Sequence, residues 1–153
     1  MKYCLLLLFA CTCCHSSSTK SDTDSSQSTR NLSLLKTVNV IGPDSAPNVF
    51  RIHFPPQAIE VTFKGVIDSP QQRQTYIFHA KKMQTLDGEI LPDTSMANIR
   101  FNQIFIPDGA SDGPFGLTIH YELNETGDYK FIIAESLMGE PWTGNYTVHL
   151  KIK

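Results

Sequence analysis

From residue 59 onward the apolar side chains recur at every second position, a period that lines one face of a strand and none of a helix. Ile59, Val61 and Phe63 alternate with Glu60, Thr62 and Lys64. Leu117, Ile119, Tyr121 and Leu123 alternate with Thr118, His120 and Glu122, and Tyr146, Val148, Leu150 and Ile152 alternate with Thr147, His149 and Lys151. Each run reads as a half-buried strand. Val49–Phe54, Gln74–Ala80, Asn98–Ile106 and Asp128–Ala134 are further candidates, rich in aromatic and β-branched residues. In Asn98–Ile106 the phase slips, because Ile99 and Phe101 share one parity and Ile104 and Ile106 the other. A bulge near Asn102-Gln103 reconciles them. Breakers separate the runs at Pro55-Pro56, Ser69-Pro70, Leu91-Pro92-Asp93, Pro107-Asp108-Gly109, Asn124 to Gly127 and Gly139 to Gly144. No stretch sustains a period of 3.6, and a single turn of helix is expected within Lys81–Glu89. The pattern predicts an all-β chain, a single antiparallel β-sandwich of jelly-roll-like type with seven to eight strands over 31–153. Leu32–Ile41 is expected as an additional edge strand.

Length and charge narrow the function. The 153 residues suit one domain and an appendage, and a net charge of −2 offers nothing to a phosphate backbone, so nucleic acid is not an expected partner. All four cysteines, Cys4, Cys11, Cys13 and Cys14, precede residue 15. The folded part therefore has no disulfide, no thiolate zinc site and no cysteine nucleophile. It also lacks a Gly-x-Ser-x-Gly elbow, and nothing pairs two of Glu60, Glu122 and Glu135 for glycoside hydrolysis. The histidines His53, His79, His120 and His149 show no metal-ligand spacing. The expectation is a protein that is not an enzyme.

At the N-terminus one lysine precedes Leu5 to Leu8, Phe9 and Ala10, a run too short to span a bilayer and suited to a secretory signal over 1–10. Leu8-Phe9-Ala10-Cys11 resembles the lipobox of bacterial lipoproteins, which implies acylation of Cys11 and a lipid anchor in the bacterial cell envelope. The alternative is an ordinary signal peptide with inert cysteines. From Cys11 to Arg30, eleven of twenty residues are Ser or Thr, a composition that cannot offset its own ordering entropy and reads as a flexible tether. Thr12 to Arg30 would reach roughly 22–26 Å.

Three segments carry a family resemblance: Thr75-Tyr76-Ile77-Phe78-His79-Ala80-Lys81-Lys82, Thr126-Gly127-Asp128-Tyr129-Lys130-Phe131-Ile132-Ile133, and Asn145-Tyr146-Thr147-Val148-His149-Leu150-Lys151-Ile152. From Gln74 onward the chain resembles the periplasmic inhibitors of g-type and i-type lysozyme, and the β-sandwich domains appended to secreted bacterial peptidases. Both families usually carry Gly after the Lys-rich turn, where this chain has Met83. In the inhibitors a Ser-Gly-x-Tyr loop lies at the surface that enters the lysozyme cleft, and Thr126, Gly127 and Tyr129 match it. The resemblance implies a threonine hydroxyl able to hydrogen-bond a catalytic carboxylate and a glycine that lets the loop protrude. A Gly-x-Tyr before a strand is equally what a tyrosine packed across a sandwich corner looks like, and Tyr129 shares parity with Phe131 and Ile133.

Two other loops stand out. Asp108-Gly109-Ala110-Ser111-Asp112-Gly113 gathers hard oxygen ligands of the kind calcium prefers, or is an ordinary connection. Leu137 to Gly144 holds Met138 and Trp142, the one tryptophan, which reads either as a lid over the core or as an anchor for a protein partner. Residues 31–153 carry ten basic and thirteen acidic side chains, a balance suited to a basic partner. The sequence thus points to an envelope-anchored binding protein, most concretely a lysozyme inhibitor, with a carbohydrate- or matrix-binding module using Asp108 and Asp112 for calcium as the alternative. An anchor at Cys11 predicts that Cys11→Ala releases the protein from membranes or blocks its processing. Fractionation and migration identical to wild type would show that Cys11 carries no lipid.

Overall fold

The computed structural model describes residues 46–153. The signal segment, Cys11, the tether and the edge strand expected at Leu32–Ile41 lie outside the described residues. Nine strands follow in order: β1 (Val49–Arg51), β2 (Glu60–Ile67), β3 (Arg73–Ala80), β4 (Gln84–Pro92), β5 (Arg100–Phe105), β6 (Ser111–Asp112), β7 (Thr118–Leu123), β8 (Gly127–Ala134) and β9 (Gly144–Ile152). They form two sheets of order β1-β3-β8-β5-β6 and β2-β9-β4-β7. The architecture is the expected all-β sandwich. One pairing departs from it, since β1 runs parallel to β3, with Val49 opposite Thr75 and Arg51 opposite Ile77.

Alternation decides which side chains enter the core. Tyr76, Phe78, Phe101, Ile104, Tyr129, Phe131 and Ile133 from the first sheet meet Val61, Phe63, Leu86, Ile90, Ile119, Leu123, Tyr146, Val148 and Leu150 from the second. Rings stack in a row through the first sheet, Phe50 on Tyr76 and Tyr76 on Phe131, with centroids 5.3 Å apart in both pairs. Such pairs add to the burial that drives the sheets together. The expected bulge is present, as the β5–β8 register shifts between Phe101 and Gln103. It lets Phe101 and Ile104 both point inward.

The helical turn expected within Lys81–Glu89 is absent. Residues 81–83 form a turn and the rest belongs to β4, which pairs with both β7 and β9. Its inward positions are Leu86, Gly88 and Ile90, and the central glycine conceals the alternation. A Cβ at Gly88 would lie 2.7 Å from Ile119 Cγ2 and 2.9 Å from Leu150 Cδ2, so core packing has taken the space a side chain would fill.

A polar junction crosses the sandwich between β2, β3 and β9. Gln74, 3% exposed, donates from Nε2 to the Val66 carbonyl. Its Oε1 accepts from Tyr76 Oη at 2.6 Å and also lies within reach of Tyr146 Oη, while the two phenol oxygens are 2.9 Å apart. Burial pushes both phenols above their usual range, so both stay protonated donors. Tyr146 fits because its register partner across the sheet is Gly65, where a Cβ would stand 2.4 Å from the ring Cζ. Gly65→Ala should therefore displace Tyr146, leave buried polar atoms unpaired and destabilise the domain by about 2–4 kcal/mol. Urea denaturation measures this, and a loss below about 1 kcal/mol would mean that the junction tolerates rearrangement.

Candidate functional site

Loops gather at two ends of the sandwich. At the end where β8 begins, the turn 81–83, the hairpin 106–110 and the loop 124–126 lie side by side. Lys82 N donates to Thr126 Oγ1 at 2.9 Å, and Met83 N donates to the Leu123 carbonyl at 2.9 Å. Met83 holds φ +72°, so the left-handed turn persists without the glycine common in the similar families, with an exposed methionine in its place. On the other side Pro107 closes against the loop, because a Cβ on Gly127 would stand 2.9 Å from Pro107 Cβ and Cγ. Glycine is required there by close approach.

Tyr129 is fully buried, at 0% exposure. Its ring stacks on Phe78 at 5.6 Å, and its hydroxyl accepts from Glu125 N at 3.0 Å and donates to Glu125 O at 3.1 Å. Of the two readings of this tyrosine, the structure shows the corner, and the expectation that it meets a partner is corrected accordingly. Tyr129 holds from beneath the loop that presents Thr126. The threonine is exposed, and a hydroxyl that accepts from Lys82 keeps its own O–H free to donate outward. Beside this loop Asp128 receives Arg51 Nη1 at 2.9 Å and lies 3.0 Å from His79 Nδ1, so β1, β3 and β8 are tied on their outer face.

The far end carries the other expected contacts. Seven residue steps of β8 separate Gly127 from Ala134, about 23 Å at ~3.3 Å per residue, so Thr126 and Met138 cannot share one small site. Glu135, 5% exposed, accepts from Gln71 N at 2.6 Å and from Trp142 N at 2.9 Å. Trp142 is half-buried, packs on the core and covers Gly144, where a Cβ would be 2.7 Å from its ring. It lies as a lid over that end of the core, while Leu137 at 80% and Met138 at 98% exposure are the solvated apolar side chains of that loop. Asn98 joins this loop to the one before β5, donating to Ser136 O at 2.9 Å and Glu140 O at 2.7 Å and accepting from Ser136 N at 3.0 Å.

Asp108 and Asp112 serve turns. Asp108 Oδ1 accepts from Ala110 N at 2.8 Å, and Asp112 Oδ1 accepts from Gly113 N at 2.7 Å. Among the described residues no group of three or more His, Cys, Asp or Glu could hold a metal ion. The anchoring roles of Asn98, Glu135 and Gln74 escaped the sequence reading. Their signal was a carboxamide or carboxylate placed within or directly against an apolar run.

With this geometry in place, three solved structures share the fold. PliG from Aeromonas hydrophila, a periplasmic inhibitor of g-type lysozyme, aligns with TM-score 0.56 at 16% identity over 69% of this chain and 96% of its own. PliG from Salmonella Typhimurium aligns at 0.55 and 19%, over 71% and 100%, and a PliG mutant from Escherichia coli at 0.52 and 19%, over the same shares. The fold defined here is a β-sandwich that these g-type lysozyme inhibitors share, as the sequence resemblance implied. The sequence matches no protein-family model and no curated protein.

Arg51, and secondarily His79, hold the Asp128 carboxyl below the usual range. A depressed folded value makes the contribution present above ~3.9 and lost as pH falls through the folded value. With both side chains a third or more exposed, the stabilisation stays below about 1 kcal/mol. Asp128→Asn should lower the neutral-pH denaturation midpoint slightly, with the difference from wild type vanishing in acid. A difference that grew as pH fell would contradict the pairing.

Proposed function

We propose that this chain is a non-catalytic, envelope-anchored inhibitor of a lysozyme, most directly of the g type, that engages the enzyme through the loop centred on Thr126. The observation that carries the reading is the preorganised loop. Thr126 stands exposed at an end of the sandwich with its hydroxyl oriented by Lys82 N, its backbone braced by Tyr129 from within and its flank packed on Pro107. A rigid loop enters a cleft without further ordering cost. The free hydroxyl proton suits a carboxylate, which ionised is an acceptor only. Lys81 and Lys82 are exposed on the adjoining turn and would add attraction to an acidic cleft. The fold shared with three g-type lysozyme inhibitors supports this target.

Inhibition assays with g- and i-type lysozymes test the reading. Thr126→Ala should keep the denaturation midpoint within about 0.5 kcal/mol of wild type and weaken inhibition roughly tenfold, the ~1.4 kcal/mol of a charge-assisted hydrogen bond. Tyr129→Phe should loosen the loop and cost about 1–2 kcal/mol of stability. A wild-type protein that inhibits neither lysozyme at micromolar concentration would overturn the proposal.

A further inference from the structure

We propose that the opposite end of the sandwich is a second docking surface, one that takes a basic protein segment with apolar anchors. The geometry points to it in three ways. First, three large apolar side chains project into solvent from its loops: Met96 at 93% exposure, Leu137 at 80% and Met138 at 98%. Unbranched methionines adapt to irregular partner surfaces, and exposed apolar clusters rimmed by polar residues mark interaction sites.

Second, the loops that carry them are fastened. The three hydrogen bonds of Asn98 join the segment bearing Met96 to the one bearing Leu137 and Met138, and Gly139 is packed so closely that a Cβ there would lie 2.8 Å from Asn98 Nδ2. Glu135 spends its two carboxylate oxygens on the backbones of Gln71 and Trp142. A loop pair held by the half-buried Asn98 and the buried Glu135 while its apolar tips stay in water is preorganised for contact.

Third, the charges select the partner. Asp68, Asp93 and Glu140 are exposed on the loops of this end, against one exposed cation, Arg73. Among the described residues none of the three carboxylates forms an ion pair, whereas Glu60, Asp87 and Asp128 on the strand faces are each met by a Lys, Arg or His. Unneutralised carboxylates around apolar tips attract a cationic segment and repel anionic lipid headgroups. The surface lies about 23 Å from the Thr126 loop, so both can be occupied at once.

The test uses the full chain and an amphipathic peptide of Lys and Leu roughly four helical turns long, with a Glu-for-Lys peptide as control. The basic peptide should perturb backbone resonances of residues 93–98 and 136–140, and bind more weakly as salt rises. Leu137→Ser with Met138→Ser, both largely solvated positions, should weaken binding at least tenfold. Asp93→Asn with Glu140→Gln should weaken it severalfold and flatten the salt dependence. Thr126→Ala should leave peptide binding unchanged, and the serine pair should leave lysozyme inhibition unchanged, which separates this surface from the proposed inhibitory loop. Equal binding of the acidic peptide, or unaltered affinity in the serine pair, would overturn the proposal. So would loss of inhibition in that pair, its loss of binding to phosphatidylglycerol vesicles in place of peptide, or a self-association that the same substitutions abolish.

Discussion

The junction of Gln74, Tyr76 and Tyr146 is the interaction around which the sandwich closes. Three polar side chains sit where two apolar sheets meet, and each unmade hydrogen bond there would cost about 1–3 kcal/mol. They are satisfied only if β2, β3 and β9 stand at one mutual height, because Gln74 must reach the Val66 carbonyl while the two phenols share its oxygen. Apolar contacts alone would let the sheets slide by fractions of a residue. The junction removes that freedom, and Gly65 is the vacancy that admits Tyr146.

Once the sheets are set, the two ends follow from one device used twice. A buried polar group reaches out from the core to backbone atoms of a loop: Tyr129 takes Glu125, and Glu135 takes Gln71 and Trp142. Neither side chain is available to a partner. Both make neighbouring side chains available, Thr126 at one end and Met138 at the other. Positioning and exposure are thus divided between residues three positions apart, one inside and one outside.

Wherever a strand exposes one face and buries the other, the sequence was legible. The runs ending at Phe63, Leu123 and Ile152 were read with the right faces inward, except that Ile59 and Leu117, just before β2 and β7, are exposed, and the slip of phase in Asn98–Ile106 located the bulge. Legibility failed where an inward position holds no side chain. Gly88 erases the middle of the β4 pattern, which left a turn of helix as the expectation where Ile119 and Leu150 occupy the space above a strand. The Thr126–Tyr129 motif was legible as a motif and undecided as a site, because the same residue types suit a corner and a contact alike.

Sequence alone determined the class of fold, since a period of two has one buried face and no helical equivalent, and it determined the lack of cysteine chemistry after Cys14. Only tertiary structure decided the rest. Whether Tyr129 points in or out depends on Phe78 and the Glu125 backbone, atoms 51 and four positions away in sequence. That Thr126 and Met138 stand at opposite ends depends on the direction of β8, and that Met96 joins Leu137 and Met138 depends on Asn98 reaching across 38 positions to Ser136. These are long-range contacts, and no local pattern encodes them because the partners become neighbours only when the sheets close.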